Sequence, residues 1–235
     1  MKIVVRKDFE EMSQAAAQIL LGTMYQEKRV NISLTTGSTP VRVYEMTAPQ
    51  IRENIDDFNH VHFYNFDNFE INKGGRGVTV DELKRQFLDP AGIRDENLHE
   101  LNYENYLDFD GMIQSHGGLD LMMIGLGGDG HFCANMPVAA DFTKGTYMIE
   151  VKEDYPWYPD LVQAFGENRP SQIVTMGAVA VMKVKQLVMI VNGKAKAKAV
   201  KQLVDSEIQN TFPSSILKLH PNFMLILDQE AASLL

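Results

Sequence analysis

Short, continuous apolar runs recur along the whole chain, each separated from the next by a stretch with helical periodicity. The runs cover residues 2–6, 30–34, 61–66, 119–124, 173–176, 187–191 and 223–227, and none exceeds six residues. Segments of that length read as strands. Most are apolar at successive rather than alternate positions, so both of their faces must be covered. Strands of this kind alternating with helices predict an α/β fold of βα units on a parallel sheet.

The helical stretches carry their own start signals. Asp8 and Glu11 have capping-box spacing and open a helix that puts Met12, Ala16, Ile19 and Leu20 on one face. Pro40 suits the first position of a second helix. Further helices are expected over residues 80–88, 103–116, 178–185 and 195–206. Residues 154–170, with Pro156, Pro159 and Pro170, are expected to form a loop. It would be either a lid over a binding site or a surface excursion packed by Trp157 and Tyr158.

Charge and cysteine usage narrow the possible partners. With 31 acidic against 22 basic side chains the net charge is −9, which disfavours nucleic acid and anionic membrane surfaces. An anionic small substrate would need local donors. Cys133 is the only cysteine, so neither an intrachain disulfide framework nor a Cys-based zinc site is available. The N-terminus shows no apolar stretch of signal-peptide length and no run approaches the ~18 apolar residues of a membrane span. The expected location is the cytoplasm.

Four segments carry candidate chemistry. Thr35-Thr36-Gly37-Ser38-Thr39-Pro40 joins a strand to a helix, and its free N–H groups and hydroxyls suit either a phosphate or carboxylate or a purely structural cap. It lacks the Gly-Lys-Ser/Thr ending of a Walker loop. In Asn65-Phe66-Asp67-Asn68-Phe69, Asp67 follows an apolar strand, where ligands bind in open α/β sheets. Its plainer role would be to open a turn toward Gly74-Gly75-Arg76-Gly77. Gly125-Leu126-Gly127-Gly128-Asp129-Gly130-His131 formally matches a dinucleotide fingerprint, but Asn135-Met136-Pro137 and Lys144-Gly145 interrupt the long helix that motif requires. An Asp and a His in a glycine turn fit acid-base chemistry better, with His131 as acid or base and Asp129 setting its tautomer or touching substrate. The other histidines, His60, His62, His99, His116 and His220, are expected to be structural. Metal binding has no supporting cluster such as H-E-x-x-H. Finally, Lys194, Lys196 and Lys198 surround a helix start, where a lysine is unfavourable unless an anion is near. All three cannot face one site, so one phosphate-binding lysine is expected.

Together these segments resemble the glucosamine-6-phosphate deaminase/isomerase family, which shares its fold with 6-phosphogluconolactonases. Thr36-Gly37-Ser38-Thr39-Pro40 resembles the family's TGGTP loop and Asn65-Phe66-Asp67 its N-M-D segment. Gly127-Gly128-Asp129-Gly130-His131 is similar to its G-N-D-G-H turn, and Leu217-Lys218-Leu219-His220-Pro221 to its L-Q-L-H-P segment. The resemblance implies one domain over residues 1–235, a three-layer, mostly parallel Rossmann-like sheet with helices on both faces. It implies cofactor-free conversion of glucosamine 6-phosphate, or a related amino-sugar or hexose phosphate, to fructose 6-phosphate and ammonia. His131 and Asp129 would open the ring, Asp67 would move a proton between C2 and C1, and Thr36, Gly37, Ser38, Thr39 and Lys196 would hold the phosphate. Where the family reads F-N-E-P this chain has Ala134-Asn135-Met136-Pro137, and where it reads D-E this chain has Asp67-Asn68. Arg169 is the candidate substitute for the family's phosphate-contacting arginine. The alternatives are a 6-phosphogluconolactonase-type hydrolase or a sugar-phosphate-binding protein with impaired catalysis. Monomer and homo-oligomer are both open, since no apolar stripe selects one.

Overall fold

The computed structural model describes residues 1–69 and 77–235. Strand β1 (Lys2–Arg6) leads into α1 (Phe9–Met24), where Asp8 accepts from the Glu11 amide at 2.9 Å. Glu11 in turn accepts from the Lys7 amide at 3.3 Å, one residue before the partner that a capping box would use. β2 (Val30–Leu34) is followed by α2 (Val41–Glu53), with Pro40 standing as its cap rather than its first residue. β3 (Val61–Tyr64) gives way to the short β4 (Asp67–Asn68), and α3 (Val78–Leu83) continues through a π-helical turn, Lys84–Leu88, into α4 (Asp89–Ala91). Then come β5 (Leu98–His99), α5 (Tyr106–Ser115), β6 (Leu121–Ile124) and β7 (Thr146–Glu150). The chain continues through α6 (Tyr158–Phe165), β8 (Gln172–Met176), α7 (Ala178–Val181), β9 (Gln186–Val191), α8 (Ala197–Asp205) and β10 (Phe223–Asp228).

Among the described residues, seven strands form the main sheet in the order β1-β10-β9-β6-β2-β3-β5, and all neighbours are parallel. On one face, Met12, Ala16 and Leu20 of α1 and Tyr44 of α2 bury Ile32, Phe63 and Ile190. On the other, Phe109 of α5, Val181 of α7 and Val200 of α8 cover Met122, Leu187 and Leu225. This double cover explains why β6, β9 and β10 are apolar at successive positions. Chain order reverses on either side of β2, which lies between β3 and β6. The carboxyl ends of β2 and β6 therefore flank the topological switch point, where such sheets bind ligands.

Three further expectations are corrected. Residues 173–176 do not join the parallel sheet: β8 lies in a separate antiparallel sheet, β4-β8-β7. It reads as an ordinary buried strand because Val174 and Met176 face the main core while Ile173 faces a satellite cluster with Trp157 and Leu161. The helix expected over 178–185 stops at Val181, because the chain must turn to enter β9, and the Lys185 amide already bonds Leu119 O at 3.0 Å. Residues 154–170 are not all loop, since α6 forms there with Pro159 in its first turn, where a missing N–H is harmless. Trp157, 3% exposed, anchors this segment and donates from Nε1 to Pro137 O at 3.2 Å.

Candidate active site

The segments after β2, β3, β6 and β9, four neighbouring strands, line one cleft of about 350 Å³. Thr36, Ser38 and Thr39 enter from the β2–α2 turn, Asp67 from beyond β3, His131 from beyond β6, and Lys196 from the start of α8. Two candidates from the sequence are not part of its lining. Gly37 shapes the turn with φ of +101°, a conformation open chiefly to glycine, and Asp129 stands behind His131 and borders a neighbouring cavity.

The β2–α2 turn is fastened from behind. Tyr44 Oη donates to Thr35 O at 2.5 Å, Gln86 Nε2 to Gly37 O at 3.1 Å, and Thr39 Oγ1 to Asn192 Oδ1 at 2.9 Å. Among the described residues, none of the main-chain N–H groups of residues 36–39 donates to a protein acceptor. Those donors stand at the amino end of α2, where the helix dipole also favours negative charge. Opposite them, Lys196 Nζ donates to Leu126 O at 2.8 Å, and burial lowers its pKa while the Asp129 charge works in the other direction. Lys194 and Lys198 are exposed to solvent. Asp228, 4% exposed, fixes the start of α8 by accepting from the Gly193 amide at 2.9 Å and the Ala231 amide at 2.7 Å.

Asp67 is 6% exposed, and burial pushes its carboxyl from 3.8 to about 7 against weaker opposing effects of Thr79 and His131. It does not open a turn. Its backbone is held as a strand against Thr175, while its carbonyl accepts from Thr79 Oγ1 at 2.7 Å and Asn65 Nδ2 at 2.8 Å. Of the glycine-rich loop expected after it, residues 74–76 lie outside the described residues.

His131 Nδ1 donates to Asp129 Oδ1 at 2.7 Å, which leaves Nε2 to take a proton. Burial alone would raise the Asp129 carboxyl, but hydrogen bonds and attraction from His131 hold it below the usual range. Gly127 makes this pair possible: a Cβ there would lie 2.2 Å from His131 Nδ1 and 2.6 Å from Asp129 Oδ1. Cys133, with φ of +50°, lines the cleft close enough to Asp67 for that charge to add to burial in raising the thiol pKa.

Other groups do not reach the cleft. Met136 packs on the satellite cluster of Ala134, Trp157, Leu161 and Ile173. Arg169 donates from Nε to Tyr158 Oη at 2.9 Å and from Nη1 to Gly166 O at 3.1 Å, so it serves α6 instead of the cleft. Among the described residues, Lys196 is the only Lys or Arg in the lining. The remaining histidines have partners elsewhere, for example His60 with Met24 O, His62 with His99, His116 with Tyr64, and His220 with Val184 O. Among the described residues no group of three or more His, Cys, Asp or Glu is arranged to hold a metal, and no helix is long and apolar enough to cross a membrane. The holding roles of Asn192, Gln86 and Asp228 were not expected from the sequence, since each acts on a segment distant in the chain and has no local signature.

A family model described as glucosamine-6-phosphate isomerases/6-phosphogluconolactonase matches residues 7–225. Glucosamine-6-phosphate deaminase of Shouchella clausii is 32% identical, the alignment covering 99% of this chain and 97% of that protein. The enzyme of the same name from Clostridium botulinum (Alaska E43) is 28% identical over 100% of this chain and 97% of its own length. A solved monomeric glucosamine-6-phosphate deaminase superposes with a TM-score of 0.86 at 24% identity, covering 100% of both chains. A 6-phosphogluconolactonase from Trypanosoma cruzi superposes with 0.77 at 15% identity, over 99% of this chain and 96% of that one. With its parallel sheet, its switch-point cleft and a family match over most of its length, the chain belongs to the glucosamine-6-phosphate isomerase/6-phosphogluconolactonase family.

Proposed function

We propose that the cleft isomerises and deaminates an amino-sugar phosphate, glucosamine 6-phosphate or a close relative, to fructose 6-phosphate and ammonia. The observation that carries this reading is Asp67, a buried carboxylate with a pKa of about 7 in a cleft that also holds His131 and Lys196. Removing a proton alpha to a carbonyl or imine calls for such a positioned base, titrating near the working pH. The phosphate rests on the N–H groups and hydroxyls of residues 36–39 and on Lys196, supplying remote binding energy that fixes the sugar. His131 Nε2 takes the anomeric hydroxyl proton as the bond from C1 to the ring oxygen breaks, and the imidazolium hands that proton to the ring oxygen. Asp129 steadies the imidazolium. Asp67 then takes the C2 proton while the substrate ammonium gives one to O1, and the Asp67 carboxylic acid, after exchange with solvent, protonates C1. Water adds to the resulting C2 imine, and ammonia leaves.

Incubating the protein with glucosamine 6-phosphate in D2O and following it by NMR tests the sequence of steps. Deuterium at C1 of fructose 6-phosphate, with ammonia released in equal amount, is the expected result. Hydrolysis of 6-phosphogluconolactone without any exchange on the amino sugar would replace this reading with the hydrolase.

A further inference from the structure

The phosphate-facing turn depends on a residue from an unrelated part of the chain. After α3 the helix widens into a π-helical turn, a distortion frequent at functional sites. Gln86 lies in it, and its Nε2 donates both to Glu82 Oε1 at 2.7 Å and to Gly37 O at 3.1 Å. Its Oε1 is buried with no hydrogen-bond partner among the described residues. An unsatisfied buried oxygen detracts from stability, so folding alone gives little reason for a glutamine here.

Gly37 gives a reason. In a planar trans peptide the carbonyl and the next N–H point in opposite directions. Holding Gly37 O against Gln86, behind the turn, aims the Ser38 N–H away from Gln86. Ser38 lines the cleft, its N–H has no protein acceptor among the described residues, and Gly37 at φ of +101° has the freedom to let this peptide flip. We propose that Gln86 is a positioning residue of the anion site: by gripping Gly37 O it locks the Ser38 N–H toward the bound phosphate, and Glu82 locks the amide in turn. This rests on the phosphate site of the proposed function.

Titrating inorganic phosphate into wild type, Gln86→Met and Gln86→Asn by calorimetry, with thermal melts in phosphate-free buffer, tests it. Methionine keeps the length without the donor, and asparagine keeps the amide one methylene short of Gly37. Both variants are expected to bind phosphate about tenfold more weakly, the value of one well-aimed hydrogen bond to an ion. Gln86→Met is expected to melt no lower than wild type, because it removes the orphaned oxygen. Wild-type binding that both variants retain would overturn the positioning role alone. Wild type that ignores phosphate would overturn the anion site and the positioning role with it. A merely structural glutamine gives the opposite pattern, with melting lowered and affinity intact.

Discussion

In the proposed reaction Asp67 sets chemistry against stability within one side chain. Its folded pKa of about 7 lies above the ordinary value of 3.8, so the stability it contributes is full below the ordinary value and is lost as pH rises through the folded one. Asp67→Asn removes that loss: thermal melts are expected to show the variant gaining on wild type between pH 5 and pH 8, by up to a few kcal/mol at about 1.4 per pKa unit. Activity should move the other way. Loss of a general base costs about 10²- to 10⁴-fold, so turnover and C1 deuteration on the same variant should collapse while phosphate still binds. In wild type, activity should rise with pH through about 7 as Asp67 ionises. Gly127→Ala is the second local test. The added methyl collides with both His131 Nδ1 and Asp129 Oδ1, so the pair separates and ring-closed substrates suffer, while Asp67 exchange on an open-chain ketose phosphate is retained. Equal loss on both substrates would detach the pair from ring opening.

Among the elements, the loops after four adjacent parallel strands line the cleft, and each was marked in the sequence by glycine, hydroxyl, carboxylate or lysine after an apolar run. Lys196→Ala tests the start of α8. It is expected to weaken a phosphosugar about tenfold or more while leaving an unphosphorylated sugar unchanged, since a charge-assisted contact is worth about 1.5–3 kcal/mol. Paired titrations with the two ligands decide it. α6 is held differently. It rests on the satellite cluster through Trp157 and Leu161 rather than on the main core, so Trp157→Ala, typically a loss of about 3–5 kcal/mol for a buried aromatic, should appear as faster amide exchange in residues 154–168 and not across the main sheet. Proline punctuation hid this helix because Pro159 was read as a breaker, whereas a first-turn proline breaks nothing. β4 escaped for another reason: two residues carry no periodicity, and the strand exists because β8 is there to pair with it.

For the molecule as a whole, a histidine cluster outside the cleft lining is expected to weaken the fold in acid. His62 Nδ1 and His99 Nε2 lie 3.1 Å apart, and the pair faces His60 and Arg29, with His116 beyond. Burial first, then the Arg29 guanidinium, depress both imidazoles to about 4, with smaller contributions from neighbouring histidines. With folded pKa values below the ordinary 6.5, the unfolded chain binds more protons in between, so stability is full above 6.5 and lost as pH falls toward 4. Melting temperature should therefore drop between pH 6.5 and pH 5, and His62→Gln with His99→Gln should flatten that drop. The sheet, by contrast, was legible from residue order. Apolar runs of strand length have few ways to be buried, and covering both faces leads to parallel strands under two helix layers. The cleft lining was legible where its chemistry is local: Ser38, Asp67, His131 and Lys196 each lie in the segment after a strand, and chain direction sends all such segments to one edge of the sheet. Strand order, the assignment of β8 to a second sheet, the turning of Met136 into the Trp157 cluster, and the grips of Gln86, Asn192 and Asp228 were not legible. Each is a choice among partners far apart in the chain, made by shape and by the need to pair buried polar groups, and no window of sequence contains both halves of such a contact.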